Sequence, residues 1–302
     1  MKSYQRIFLF LLLVLLLTVL LSPWVAALWN SIIEARPQWQ GYRYPFSNIF
    51  GRFFMVVGVI LFFSCRSLLK IQSLSQLGIT RFRDGYKDLF CGSLIALGSL
   101  ITIAFLMSLL EIFIPYFRLS LSTALERSLK ALLAALTVGF LEEIFFRGVI
   151  FKGLLEDWRP AAAFAVSSLF YAGIHFLKPA DDISLAGIDP WAGIRYLIGA
   201  FQPFLDLVTL LPGLFGLFLI GIVLSYAFLR TGSLYLSIGL HAGWVFALKS
   251  IRVYGDFRRE ELGWLFGSSD PKLVSGVAGW IAIVAVGVII HWITRKRQGL
   301  TL

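Results

Sequence analysis

Apolar residues fall in long unbroken runs, separated by short stretches that carry nearly all the charge. The first run, "IFLFLLLVLLLTVLLSPWVAAL" at 7–28, has neither the period of two of a half-buried strand nor the one-sided stripe of a surface helix. A helix crossing a hydrocarbon core of about 30 Å needs about 20 predominantly apolar residues. Runs approaching that length predict about eight membrane spans, near 7–28, 50–65, 88–115, 131–151, 161–178, 204–229, 231–249 and 273–293. The fold class is therefore all-α, a polytopic membrane helix bundle. The short turn "RTGS" at 230–233 makes the sixth and seventh spans antiparallel neighbours, and "LEDWRP" at 155–160 turns the fourth into the fifth. The stretch 179–203, half polar and rich in Gly and Pro, reads as a loop with an interfacial or re-entrant piece. The longest polar connections, about 20 residues, are too short to bury a core of their own. No internal repeat is evident. Three regions follow: 1–87 with two spans and a basic loop, 88–250 as the central membrane domain, and 251–302 with a loop and the last span.

Composition agrees. Of 302 residues, 58% are hydrophobic, 28 are Phe and only 15% are charged, against about a quarter charged in soluble proteins. The cations set orientation. Lys2 and Arg6 precede the first span, Arg66, Lys70, Arg81, Arg83 and Lys87 fill the loop after the second, and Arg295, Lys296 and Arg297 follow the last. With eight spans these share one side, which puts both termini in the cytoplasm of a cell whose plasma membrane holds the chain. Lys249, Arg252, Arg258, Arg259 and Lys272 then lie outside, interspersed with Asp256, Glu260 and Glu261. The net charge of +10 calls for no nucleic acid; it suits loops facing anionic lipid. The first run exceeds the roughly 7–15 residues of a signal-peptide core, so it reads as an uncleaved anchor. Cys65 and Cys91 provide neither a metal cluster nor a disulfide framework.

Charge inside a span carries the chemistry. Ionisable groups in a bilayer cost roughly 3 kcal/mol each and are usually functional. "LTVGFLEEIFFRGVIF" at 136–151 holds three of them. Glu143 and Arg147, at i and i+4, share a helix face and can pair. Glu142 is rotated about 100° away from that partner, so it is the candidate general base; the bland alternative is that all three only join helices. His175 and His241 lie in two other apolar spans, whereas His291, beside "RKR", reads as interfacial. Glutamate and histidine can activate a water while a second histidine donates to an oxyanion. The same Glu142, His175 and His241 could instead hold zinc with an open fourth position. Spacing leaves both open.

These residues carry a resemblance. "EEIFFR" matches the E-E-x-x-x-R signature of the type II CAAX prenyl endopeptidases and their bacterial Abi or CPBP relatives, with His175 and His241 where that family keeps its second and third motifs. The resemblance covers about 90–250, with its core at 136–246. It implies a helical bundle around a conical cavity open to membrane and cytosol, and a glutamic intramembrane endopeptidase. Glu142 and His175 would activate water, Glu143 and Arg147 would hold each other, and His241 would build the oxyanion hole with an Asn one turn later. It implies a membrane-associated protein or peptide as substrate and no cofactor.

Two positions depart from that pattern. Tyr171 stands where the family has Phe, four residues before the histidine. Val245 stands where H-x-x-x-N places Asn, and no Asn follows Asn48. Loss of one oxyanion donor typically costs 10²–10³ in rate. The indole N–H of Trp244 is the candidate substitute, with membrane packing as its plainer reading. A weak or inactive family member acting as a binding or immunity factor is thus the chief rival reading. A transporter is the second, with neither inverted repeats nor paired broken helices to support it. Ser167, Ser168, Gly232, Gly239 and Gly243 read as close helix contacts, Asp181 and Asp182 as a solvated loop, and Asp206 as the outer end of a span.

Overall fold

The computed structural model describes residues 1–117, 119–179, 187–257, 262–267 and 273–297. The chain is 78% helical. In order come α1 (Ser3–Glu34), α2 (Phe46–Ser64), α3 (Phe82–Leu109), β1 (Phe113–Pro115) and α4 (Leu121–Glu143). α4 continues without a break as a π-helical segment, Ile144–Phe151, and then α5 (Lys152–Leu155). α6 (Pro160–Ile174), α7 (Ala192–Gly199), α8 (Leu207–Thr231), α9 (Tyr235–Ile251), β2 (Gly255–Phe257), α10 (Gly263–Phe266) and α11 (Val277–Thr294) complete it.

Among the described residues, five helical stretches are long and apolar enough to cross a membrane: Ser3–Glu34, Phe46–Ser64, Leu74–Leu109, Leu207–Thr231 and Val277–Thr294. The other three expected spans fall on α4 with its π continuation, on α6 and on α9. The first is charge-rich, with Glu126, Arg127 and Lys130 near its start and Glu142, Glu143 and Arg147 further on. The other two have 15 and 17 residues, short of the roughly 20 that a full crossing needs. A chain of this kind is a multi-pass membrane protein. The expected loop at 179–203 contains the helix α7. Asp181, Asp182, Arg258, Arg259, Glu260, Glu261 and Lys272 lie outside the described residues.

The chain folds as two compact units, Met1–Gln72 with Gly173–Leu210, and Ser73–Ala172 with Leu211–Leu302. In the first, α1 packs on α2 and α7. Gly193 of α7 permits this, since a Cβ there would lie 2.0 Å from the Val19 carbonyl oxygen. Tyr196 stacks on Phe50 at 4.3 Å and meets Phe46 edge-on at 5.7 Å.

The second unit is organised by α3 against α9, and by α9 against α4. Small residues let the backbones touch, as in other membrane bundles. A Cβ on Gly92 would meet the Leu236 carbonyl oxygen at 2.4 Å, and one on Gly239 the Leu89 carbonyl oxygen at 2.1 Å. Gly243 faces Ala96 and Ser93, and Ser168 of α6 abuts Gly221 of α8. Gly232 does not follow the expectation of a close contact. A Cβ there would meet nothing within 4 Å, and its φ of +65° makes it the turn between α8 and α9, a conformation that favours glycine. The two short strands pair antiparallel, Phe113 opposite Phe257. The pairing satisfies backbone groups beyond the ends of α3 and α9.

Candidate active site

The site in the second unit is built where α4 meets α9. Ser120 caps α4 by accepting a hydrogen bond from the Thr123 N–H at 3.3 Å, as short hydroxyl residues do at helix starts. About five turns on, Gly139 brings the two helices together: a Cβ there would lie 3.1 Å from the Ala242 nitrogen. The neighbour of Ala242 is His241, and one turn past Gly139 stand Glu142 and Glu143. The helix then widens to π geometry from Ile144, a distortion frequent at functional sites.

Glu143 is the centre of the cluster. Its Oε1 accepts a hydrogen bond from an Arg147 guanidinium nitrogen at 2.8 Å and lies 2.8 Å from Nδ1 of His241. The side chains of Glu143 and Arg147 are 0% and 1% exposed. A second guanidinium nitrogen donates to the Gly221 carbonyl on α8 at 3.3 Å. The ring of Tyr171 lies 4.6 Å from the Arg147 guanidinium carbon and edge-on to His241 at 6.1 Å. Phe146 packs on it from the other side at 5.0 Å. The tyrosine thus holds its ring where an aromatic residue is required. Its face toward the guanidinium is a cation–π contact.

Glu142 occupies a different position. Its side chain is 28% exposed, and its Oε2 lies 3.8 Å from Nε2 of His241. The histidine therefore stands between two carboxylates, with one nitrogen bonded to the buried glutamate and the other turned toward the more open one. A carboxylate that accepts from Nδ1–H fixes the ring's orientation and tautomer.

The remaining expected residues are placed as follows. His175 is exposed, immediately past the last residue of α6, and belongs to the first unit. Val245 is half-buried on α9, one turn after His241. The Trp244 indole N–H, the candidate substitute donor, is donated to the Ser99 hydroxyl of α3 at 3.1 Å. Among the described residues no group of three His, Cys, Asp or Glu side chains gathers as a metal-binding set. Ser99 and Gly221 escaped the sequence reading because each acts through a partner more than 70 positions away. His291 lies 2.8 Å from the Tyr226 hydroxyl through Nδ1. Asp206 accepts a hydrogen bond from the Thr209 N–H at the start of α8, at 3.3 Å.

Several cations of this unit gather at one of its ends. Arg297 donates two hydrogen bonds to Asp88, at 2.8 and 2.7 Å, and Arg230 donates to the Thr294 carbonyl at 2.6 Å. Lys152 donates to the Gln76 carbonyl, and the Tyr235 hydroxyl to the Thr80 carbonyl at 2.9 Å. Arg81, Arg83 and Lys87 lie at the same end of α3. His241 sits six residues into α9, which at 1.5 Å per residue is about 9 Å from that basic end.

Residues 123–247 match the family model described as type II CAAX prenyl endopeptidase Rce1-like. Neither a curated protein nor a solved structure matches the chain.

Proposed function

The chain carries an Rce1-like type II CAAX prenyl endopeptidase domain at residues 123–247, and from that premise we propose that it hydrolyses peptide bonds with a water activated at Glu142. The family match supports an endopeptidase of the membrane, acting on a peptide substrate. The finer reading rests on one observation, that His241 stands between Glu142 and Glu143.

Glu142, the more open of the two carboxylates, takes a proton from water. The hydroxide adds to the scissile carbonyl carbon, and the C–O double bond becomes an oxyanion. Nε2–H of His241 donates to that oxyanion. The tetrahedral carbon then expels the amine, and Glu142 returns its proton to the leaving nitrogen. Because Nδ1–H is committed to Glu143, His241 can donate from Nε2 only as imidazolium. With both carboxylates ionised, that cation and Arg147 bring the four side chains to zero net charge. Such a balance suits a site where uncompensated charge is costly. Glu143 and Arg147 act through His241, not on the substrate. His175 is assigned to the water by its motif position alone. The basic end faces the cytoplasm by the charge rule, so the scissile bond is met about 9 Å below that surface.

Val245 argues for a slow enzyme. One donor of the oxyanion hole is missing, and Trp244 is engaged with Ser99. The alternative, a catalytically silent member that binds a membrane peptide, draws its support from the same two residues. Zinc held by Glu142, His175 and His241 is the competing chemistry. A carboxylate on the far nitrogen of a metal-bound histidine is a common support, so Glu143 would fit that role too.

The test is proteolysis of a membrane-peptide library in liposomes. Cleavage abolished by Glu142→Ala and indifferent to a chelator supports glutamate-activated water. Loss on chelation, restored by zinc, refutes it in favour of a metal site. Silence in wild type with cleavage in Val245→Asn identifies a disabled protease fold.

A further inference from the structure

The connection between α1 and α2, at the end opposite Lys2 and Arg6, has a chemistry that neither the charge rule nor the protease reading explains. α1 has 32 residues, about 48 Å at 1.5 Å per residue, against a hydrocarbon core of about 30 Å. Its last turns and the segment that follows therefore emerge in the far headgroup layer. The charge rule expects few cations there. Between Glu34 and Arg52 the chain nonetheless carries Arg36, Arg43 and Arg52 against the single acid Glu34, a surplus of two positive charges.

The three arginines are exposed, and two of them lie on aromatic rings. The Arg36 guanidinium carbon lies 4.3 Å from the Trp39 ring, and that of Arg52 lies 4.0 Å from the Tyr44 ring. The ring of Tyr44 is itself held. Tyr44 stacks on Trp29 at 6.1 Å, and the Trp29 indole N–H is donated to the Tyr42 carbonyl at 3.0 Å. A guanidinium whose face rests on a ring keeps its N–H edge outward, where a planar fork suits a phosphate. Arg43 approaches Glu34 at 3.8 Å, but both side chains are more than half exposed, so the pair leaves Arg43 available to a stronger anion. Trp39 and Tyr42, also exposed, are the ring types that settle at the headgroup level.

We propose that Arg36, Arg43 and Arg52 form a binding site for the phosphodiester of an anionic phospholipid in the leaflet opposite the N-terminus. The positive surplus, the depth set by the length of α1 and the ring-supported guanidiniums favour a lipid headgroup over an acidic peptide. The site does not depend on the proteolytic reading.

The full chain in detergent is titrated with phosphatidylglycerol and, separately, phosphatidylcholine, with bound lipid counted by native mass spectrometry. Wild type binds phosphatidylglycerol more tightly. Each Arg→Gln change at 36, 43 and 52 lowers its apparent affinity roughly fivefold, the scale of one cation near an anionic surface. Glu34→Gln raises it, an outcome that misfolding does not produce. Brominated phosphatidylglycerol, and not brominated phosphatidylcholine, quenches the Trp39 emission, read as wild type minus Trp39→Phe. Unchanged affinity in a folded triple variant overturns the proposal. So does an unchanged affinity in Glu34→Gln, or displacement of the lipid by a glutamate-rich peptide.

Discussion

Replacing Arg147 with Met tests whether the buried cluster is a coupled unit. The side chain is 1% exposed and its partner Glu143 is 0% exposed, with 2.8 Å between the bonded atoms. Neither solvent nor salt screens a pair so buried. Methionine keeps much of the volume, removes the charge and abandons both the Glu143 bond and the Gly221 carbonyl. Deleting one partner of a buried pair strands the other charge and costs about 3–5 kcal/mol. The double variant Glu143→Gln, Arg147→Met strands no charge, so it costs less than the sum of the single changes, with a coupling of about 1–3 kcal/mol. Arg147→Lys falls between, since an ammonium cannot make both bonds and lie flat on Tyr171. The assay is the unfolding free energy in mixed micelles, with peptide cleavage measured alongside. A single-variant cost below about 1 kcal/mol, or strict additivity in the double variant, would refute the coupled cluster. Cleavage that survives Arg147→Met in protein that stays folded would show that the Glu143–His241 pair works without the guanidinium.

Gly92→Ala pushes a methyl group to 2.4 Å from the Leu236 carbonyl oxygen and destabilises the α3–α9 contact by about 1–3 kcal/mol. Gly98→Ala on the same helix meets nothing within 4 Å and is neutral or slightly stabilising on the helix-propensity scale; thermal melting in detergent compares the two. Val245→Asn raises the turnover number by up to 10²–10³ with a smaller change in KM, since the added donor acts on the developing oxyanion. No change in turnover would mean that another group already fills that place. Asp206 is held below the ordinary carboxylate value by its hydrogen bonds from Thr209. Its folded form therefore favours the ionised state, so its cap on α8 persists above the ordinary value and is lost as pH falls through the lowered one. Hydrogen exchange at Thr209 should quicken over that acid window in wild type and show no such step in Asp206→Asn.

Much of the site was legible because its spacing is local. Glu143 and Arg147 are one turn apart, so their pairing follows from helix geometry alone. The role of Tyr171 as an aromatic support also follows from its position near a histidine motif. The bond from His241 to Glu143 is 98 positions long in sequence, and no periodicity encodes it. It depends on Gly139 and Ala242 letting α4 approach α9. The same holds for Trp244, whose indole N–H is donated to Ser99, 145 positions away. Gly232 misled for a different reason. Its small size permits a helix contact or a left-handed turn equally, and only the backbone angle decides.

What the sequence by itself determined is the solvent and the place of the buried charges. Runs of apolar residues require a bilayer and, with it, helices, because backbone groups in hydrocarbon must be satisfied within their own segment. Two glutamates and an arginine inside such a run identify a buried polar centre, since their cost there demands a compensating role. Which carboxylate orients the histidine and which remains more open is decided by the tertiary structure. That choice turns on differences of one helix rotation and on the approach of distant backbones, where packing at glycine, and not local pattern, sets the distance.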